Sequence, residues 1–125
     1  MITNNKKYIL ASSSASRFNI LRNCGFKFKQ IKPKCKEEEI KEKIKKKNIN
    51  PITIAKILSF EKAKSISETK KFFNDYVIGC DTLIYLDKKI YDKAKNTKEA
   101  YQKIKNLSGK THNIVSGLTI CLGGK

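Results

Sequence analysis

Residues 76–86, YVIGCDTLIYL, form the most apolar stretch of the chain and decide how the rest is read. Aromatic and β-branched residues dominate, and no proline interrupts them, so the stretch is expected to form a buried strand or two. Asp81 stands in its middle. A carboxylate at that point must either leave the core face or be held there for a purpose. Burial and a neighbouring cation or metal shift a carboxyl group's proton affinity in opposite directions, so such a group can be tuned as a base. The blander alternative is an aspartate at a strand break or bulge beside Gly79, satisfied by backbone amides.

Upstream, Asn50 followed by Pro51 reads as an N-cap with proline at the first helical position, opening a helix that runs to about Glu68. Leu58, Lys62 and Ile66 are spaced four apart and share one face of it. A lysine in an apolar line either snorkels its ammonium to the edge or projects into a polar cleft that holds phosphate. The run Glu37 to Lys47 is acidic first and basic last, the order a helix dipole favours, and reads mostly as a solvated helix face. Phe26, Phe28 and Ile31 suggest a strand edged by Pro33. Tyr8 to Ala11 suggests another, followed by the turn Ser12-Ser13-Ser14 and a helix through Ile20 and Leu21 that Gly25 stops. Downstream, Asp87-Lys88-Lys89 reads as a turn, Thr97 to Leu107 as a helix capped by Thr97, and Thr111 to Leu122 as a closing strand after Gly109. Strands alternating with helices predict an α/β layered domain, with no internal repeat and no low-complexity linker.

At 125 residues the chain has room for one domain, or most of one. The first residues lack the apolar segment of a signal peptide, and no apolar run approaches the roughly 20 residues that cross a bilayer. A soluble cytoplasmic protein without membrane contact is the expectation. Cys24, Cys35, Cys80 and Cys121 are scattered with no CxxC pair, which fits neither a zinc site nor a small disulfide scaffold, so all four are expected to be reduced packing residues. The formal charge of +17 invites a nucleic-acid reading. Against it, Arg17 and Arg22 are the only arginines, and no nucleic-acid-binding motif is evident. A lysine-rich solvated surface accounts for the charge.

The turn Ser12 to Arg17 lies between a strand and a helix start, where free amides and the positive dipole end favour an anion. Arg17, on the first turn, can add a bidentate contact to phosphate oxygens. An ordinary serine-rich N-cap is the competing reading. The turn is not a P-loop, because the glycines and the GK[ST] ending are missing. His112 has no nucleophile partner that spacing identifies, so it reads as structural or pocket-lining.

Taken together these pieces resemble the Maf family of nucleoside triphosphate pyrophosphatases. ILASSSASRFNIL (9–21) resembles the family's N-terminal LAS-x-S-x-x-R turn and helix, and FEKAKSI (60–66) its E-K-A block. IGCDTLIYLDKKIYDKAKN (78–96) resembles its G-x-D-T/Q strand and downstream lysine, and EAYQKIKNLSGKTHNIVSG (99–117) its SGKTH segment. Four blocks in order are more specific than any one, and the similarity runs from about Tyr8 to Leu118.

The resemblance implies an inosine-triphosphatase-like α/β fold, a mixed sheet flanked by helices around a cleft. It implies that residues 1–125 are the N-terminal portion of such a domain, since family members continue into a second half that completes the cleft. It further implies a divalent cation, magnesium or manganese. Ser12, Ser14 and Arg17 would cradle phosphates, Lys62 and Lys93 would neutralise the triphosphate, Glu37 would match the metal-side glutamate, and Asp81 would join it at the metal and activate the attacking water. Lys36 ahead of that glutamate and Ala94 after Lys93 depart from the family pattern. The competing readings are a nucleotide-binding or septum-associated module without turnover and a basic nucleic-acid binder. The first predicts stabilisation by nucleotide without hydrolysis, the second a steep salt dependence of oligonucleotide binding. Base preference and the pairing of two chains into a homodimer stay open.

Overall fold

The computed structural model describes residues 7–87, 89–91 and 94–125. Residues 76–86 form a single long strand, β3 (Tyr76–Leu86), and the sheet is built around it. In chain order the other elements are β1 (Tyr8–Ala11), α1 (Ala15–Asn23), β2 (Phe28–Ile31), α2 (Glu37–Lys46), α3 (Pro51–Ser67), β4 (Lys89–Tyr91), α4 (Thr97–Leu107) and β5 (Asn113–Cys121), with a single 3₁₀ turn at Lys70–Phe72. The result is a mixed sheet with helices, the α/β class expected from the sequence.

β1 runs parallel to the first part of β3, pairing Tyr8 with Tyr76 and Ala11 with Gly79, and β2 lies parallel outside it. β5 runs antiparallel along the other edge of β3, from Val77↔Cys121 to Tyr85↔Asn113. β4 pairs antiparallel with Ile84 to Leu86. Because β5 already occupies one edge at Ile84 and Tyr85, β4 must share the opposite edge with β1. That edge therefore has no strand partner, among the described residues, between Gly79 and Ile84. Asp81 stands in the gap.

α3 covers one face of β3 and β5, and glycine lets it sit close. Gly79 lies directly under Ser59 and Ala63, and Gly117 under Ala55, so closely that a methyl group at either glycine would meet helix backbone. Two apolar clusters form along this contact. Ile9, Ala11, Ala63, Ile66, Val77 and Cys121 make one, and Ile44, Ile54, Ala55, Leu58 and Leu83 the other. Each large side chain fully removed from water contributes about 1.5–3 kcal/mol. Between the clusters runs a polar seam, in which Ser59 Oγ meets Thr119 Oγ1 at 2.7 Å and Lys62 meets Asp81. The opposite face of β5 presents Ile114, Leu118 and Ile120 to solvent.

Most expected boundaries hold, and the caps explain why. Asn50 Oδ1 accepts from the Ile52 amide at 2.8 Å ahead of Pro51, and Gly25 takes φ +86° just past α1. Three expectations are corrected. The turn after β3 is narrower than Asp87 to Lys89: Asp87 adopts φ +55°, which aspartate tolerates, and Lys89 already begins β4. The cap of α4 is Asn96, not Thr97, because Asn96 Oδ1 accepts from the Glu99 amide at 2.8 Å. All four cysteines are free thiols, but Cys24 is exposed rather than packed in the interior. Among the described residues no helix is long and apolar enough to cross a membrane.

Candidate active site

Asp81 points to the α3 side of β3, into the gap between β1 and β4, and Lys62 meets it from the helix. Lys62 Nζ lies 2.7 Å from Asp81 Oδ1, with side-chain exposures of only 12% and 6%. The apolar line Leu58-Lys62-Ile66 is thus explained. Leu58 and Ile66 are buried in the two clusters, and the lysine between them enters the polar seam rather than snorkelling out. Asp81 is not a bulge residue, since it pairs in unbroken register with Gly117, and among the described residues no backbone amide donates to its carboxylate. Its second oxygen, Oδ2, is buried and has no hydrogen-bond partner among the described residues.

Glu37, the first residue of α2, approaches the same ammonium, with Oε1 3.6 Å from Lys62 Nζ, and Lys41 one turn later reaches Glu37 Oε1 at 3.3 Å. Lys41, Glu37, Lys62 and Asp81 therefore form an alternating string of charges. On the far side, Arg17 extends from the first turn of α1, donating from Nη2 to Thr82 Oγ1 at 3.0 Å and from Nη1 to Ser12 Oγ at 3.4 Å.

The serine turn is an N-cap and a pocket wall at once. Ser14 Oγ accepts from the Arg17 amide at 3.2 Å, and the Ser14 amide donates to Ser12 Oγ at 3.1 Å. Ser12 is buried, so its hydroxyl organises the turn and Arg17 rather than presenting itself to solvent. A hollow of about 250 Å³ is lined by Ser12, Ser13, Ser14, Arg17, Glu37 and Lys62 among others. Arg17, Glu37 and Lys62 also line a second, larger cleft of about 600 Å³, whose walls include Asp81, Thr82 and Tyr91. That volume suits a small-molecule ligand the size of a nucleotide. Cys35 borders the smaller hollow. Burial pushes its thiol up from the usual value, the Glu37 carboxylate adds to the rise, and Lys62 opposes it. A thiol held protonated is a poor nucleophile.

Of the residues singled out from sequence, Ser12 and Ser14 thus line the smaller hollow, Asp81 lines the larger cleft, and Arg17, Glu37 and Lys62 line both. Lys93 lies outside the described residues. His112 is exposed just ahead of β5 and lines neither the hollow nor the cleft. Thr82, Lys41, Tyr91 and Lys103 line the cleft without having been singled out. Lys41 had a signal, its i+4 spacing from Glu37. Thr82 had its place as the T of the G-x-D-T/Q pattern, to which no role was attached.

Whether the site suits a divalent cation can be judged from its donors. The described residues contain no group of three or more His, Cys, Asp or Glu side chains placed to hold a metal. They do bring Glu37 and Asp81 to one ammonium, and Asp81 Oδ2 is an unpartnered buried oxygen. Two hard oxygen donors fit magnesium or manganese bound chiefly through substrate phosphates, with one or two carboxylates from the protein.

Comparison with known proteins adds a consistent set of relatives. The family described as Maf-like protein matches residues 7–124. A nucleoside triphosphate pyrophosphatase of Pelagibacter ubique is 36% identical over 119 residues, covering 95% of this chain and 60% of the relative. A dTTP/UTP pyrophosphatase of Fusobacterium nucleatum is 39% identical over 108 residues, covering 86% and 52%. One of Pyrococcus furiosus is 39% identical over 120 residues, covering 96% and 58%. The chain spans between half and three-fifths of the length of these curated relatives.

Proposed function

The chain belongs to the Maf-like protein family, and from that premise we propose that it carries the phosphate-binding and catalytic part of a nucleoside triphosphate pyrophosphatase. The observation that carries the reading is the convergence of Arg17, Lys62, Glu37 and Asp81 on one cleft of about 600 Å³. The relatives' names point to dTTP and UTP as the first substrates to test.

The reaction is hydrolysis at the α-phosphorus. Water forms the new P–O bond, the bond to the α,β-bridging oxygen breaks, and pyrophosphate leaves with that electron pair. Anionic phosphates repel a nucleophile, so cations fixed in advance supply most of the stabilisation. Arg17 offers a planar fork of donors to phosphate oxygens, and Lys62 and Lys93 act as point charges. The first-turn amides of α1, behind the serine turn, favour an anion at the same end. Asp81 takes the water's proton. Lys62 holds its Oδ1, which leaves the unpartnered Oδ2 for that task. General base catalysis of this kind contributes about 10²- to 10⁴-fold. A magnesium or manganese ion would be held by Glu37 and Asp81 together with the phosphates and would supply further neutralisation of the polyphosphate charge.

The test is pyrophosphate release from a panel of nucleoside triphosphates with magnesium or manganese present. Turnover of at least one nucleotide, lost in Asp81→Asn while the fold is kept, is the expected result. A correctly folded chain that hydrolyses none of them would overturn catalysis by this chain.

A further inference from the structure

We propose that Ser116, on β5, is a positioning residue for polyphosphate binding, acting through Thr82 to aim the guanidinium of Arg17. The inference rests on the reading of Arg17 as a phosphate contact.

Arg17 is a long side chain on the first turn of α1, with about 2 kcal/mol of rotamer entropy to lose before its fork can meet a phosphate. Two hydroxyls hold it, and they are unequal. The 3.4 Å contact to Ser12 Oγ is at the limit for a hydrogen bond, whereas the 3.0 Å contact to Thr82 Oγ1 is well inside it. Thr82 is therefore the firmer anchor. Thr82 is itself exposed on the cleft wall, where its χ1 could choose among staggered wells. Ser116 removes that choice. It lies directly across the ladder from Thr82, and the two hydroxyl oxygens are 2.8 Å apart. Arginine only donates, so Thr82 Oγ1 must accept from it. One lone pair and one proton remain on Thr82, and Ser116 engages one of them.

The placement of Ser116 supports the assignment. Its neighbours on the same face of β5 are Ile114, Leu118 and Ile120, all exposed and apolar. One hydroxyl interrupts that row, at the register position facing the residue that holds Arg17. A cross-strand Ser–Thr pair could also serve the sheet alone, so the test must separate positioning from pairing.

A double-mutant cycle does so, with Arg17→Ala, Ser116→Ala and the double variant, and with Ser116→Thr restoring the hydroxyl. The probe is inorganic tripolyphosphate, titrated calorimetrically at about 0.15 M salt so that diffuse attraction to a basic chain is screened. Ser116→Ala is expected to weaken binding about 2- to 12-fold, the range of one net hydrogen bond. It should have no effect when Arg17 is already alanine, and Ser116→Thr should bind as the parent does. Equal losses in both backgrounds, or no loss in either, would overturn the proposal while leaving Arg17's role intact. If Arg17→Ala itself leaves binding unchanged, both the proposal and the phosphate-binding role of Arg17 fall.

Discussion

Replacing Gly79 by alanine tests how the site is held together, because this glycine sets the height of α3 above the sheet. A Cβ at position 79 would stand 2.8 Å from both Cβ and N of Ala63 and would run into the Ser59 carbonyl oxygen. Resting carbon contacts are about 3.5–4.0 Å, so the helix must retreat by about 1 Å. The obstacles are backbone atoms and a Cβ, and no rotamer relieves them. Overpacking of this kind costs about 1–3 kcal/mol, and a backbone clash places Gly79→Ala towards the upper end. With a urea m-value of about 1–3 kcal/mol/M, the unfolding midpoint should fall by roughly 1 M at constant slope. Lys62 adjoins Ala63 on the moving segment. Its 2.7 Å bond to Asp81 should lengthen past hydrogen-bonding range, so tripolyphosphate affinity should fall as well. Gly117→Ala is the companion. Its Cβ would meet Ala55 C at 2.7 Å and Lys56 N at 3.1 Å, one and a half turns or more from Lys62. It should cost similar stability and disturb phosphate binding less. An unchanged or raised midpoint for Gly79→Ala would refute this account of α3, since alanine's entropic advantage over glycine in a strand would then be acting unopposed.

Lys62→Met leaves Asp81 without its ammonium and should cost about 3–5 kcal/mol, the usual consequence of removing one partner of a buried pair. Adding Asp81→Asn should recover much of that loss, and additive losses in urea denaturation would contradict the coupling. Burial pushes the Cys121 and Cys35 thiols up, so the folded chain retains protons that the unfolded chain releases. Their contribution to stability is therefore constant below the ordinary thiol pKa of about 8.5 and declines as pH rises through it. Midpoints measured from pH 7 to 10 should show the decline, and Cys121→Ala should shrink it. For the cap of α4, Asn96→Ala should cost about 1 kcal/mol, whereas Thr97→Ala should stay within about 0.5 kcal/mol, and the reverse order would restore Thr97 as cap.

The helices and the long strand were legible because their signals are local. Asn50-Pro51 states a helix start through its own side chain and ring, Gly25 states a stop through its φ, and residues 76–86 state burial through composition. What escaped depends on partners far away in sequence. β4 holds only Lys89 to Tyr91 and exists because β3 offers it an edge, while Asn96 and Thr97 are both acceptable caps until the backbone chooses one. The site divides in the same way. Asp81 and Lys62 were conspicuous as charges in apolar lines, and the 2.7 Å pair explains both anomalies at once. Thr82 and Ser116, 34 positions apart, lay within two of the family-like blocks but were not charges in apolar lines, and nothing local linked them before the antiparallel register set them face to face.

The resting charges of the cleft also bear on how a very basic chain can be selective. On a molecule of formal charge +17, a pocket of unpaired lysines would attract any polyanion. Here Lys62 sits between Asp81 at 2.7 Å and Glu37 at 3.6 Å, and Lys41 is paired to Glu37 at 3.3 Å. An incoming anion must therefore compete with two carboxylates for each contact it makes with Lys62. A single phosphate gains little from that exchange. A polyphosphate that engages Arg17 at the same time offers several oxygens across the cleft and meets a guanidinium already aimed at it, so less entropy is lost per contact formed. The carboxylates thus hold the cations in place while favouring the longer anion, and Asp81 is left with one oxygen engaged and one free for a proton.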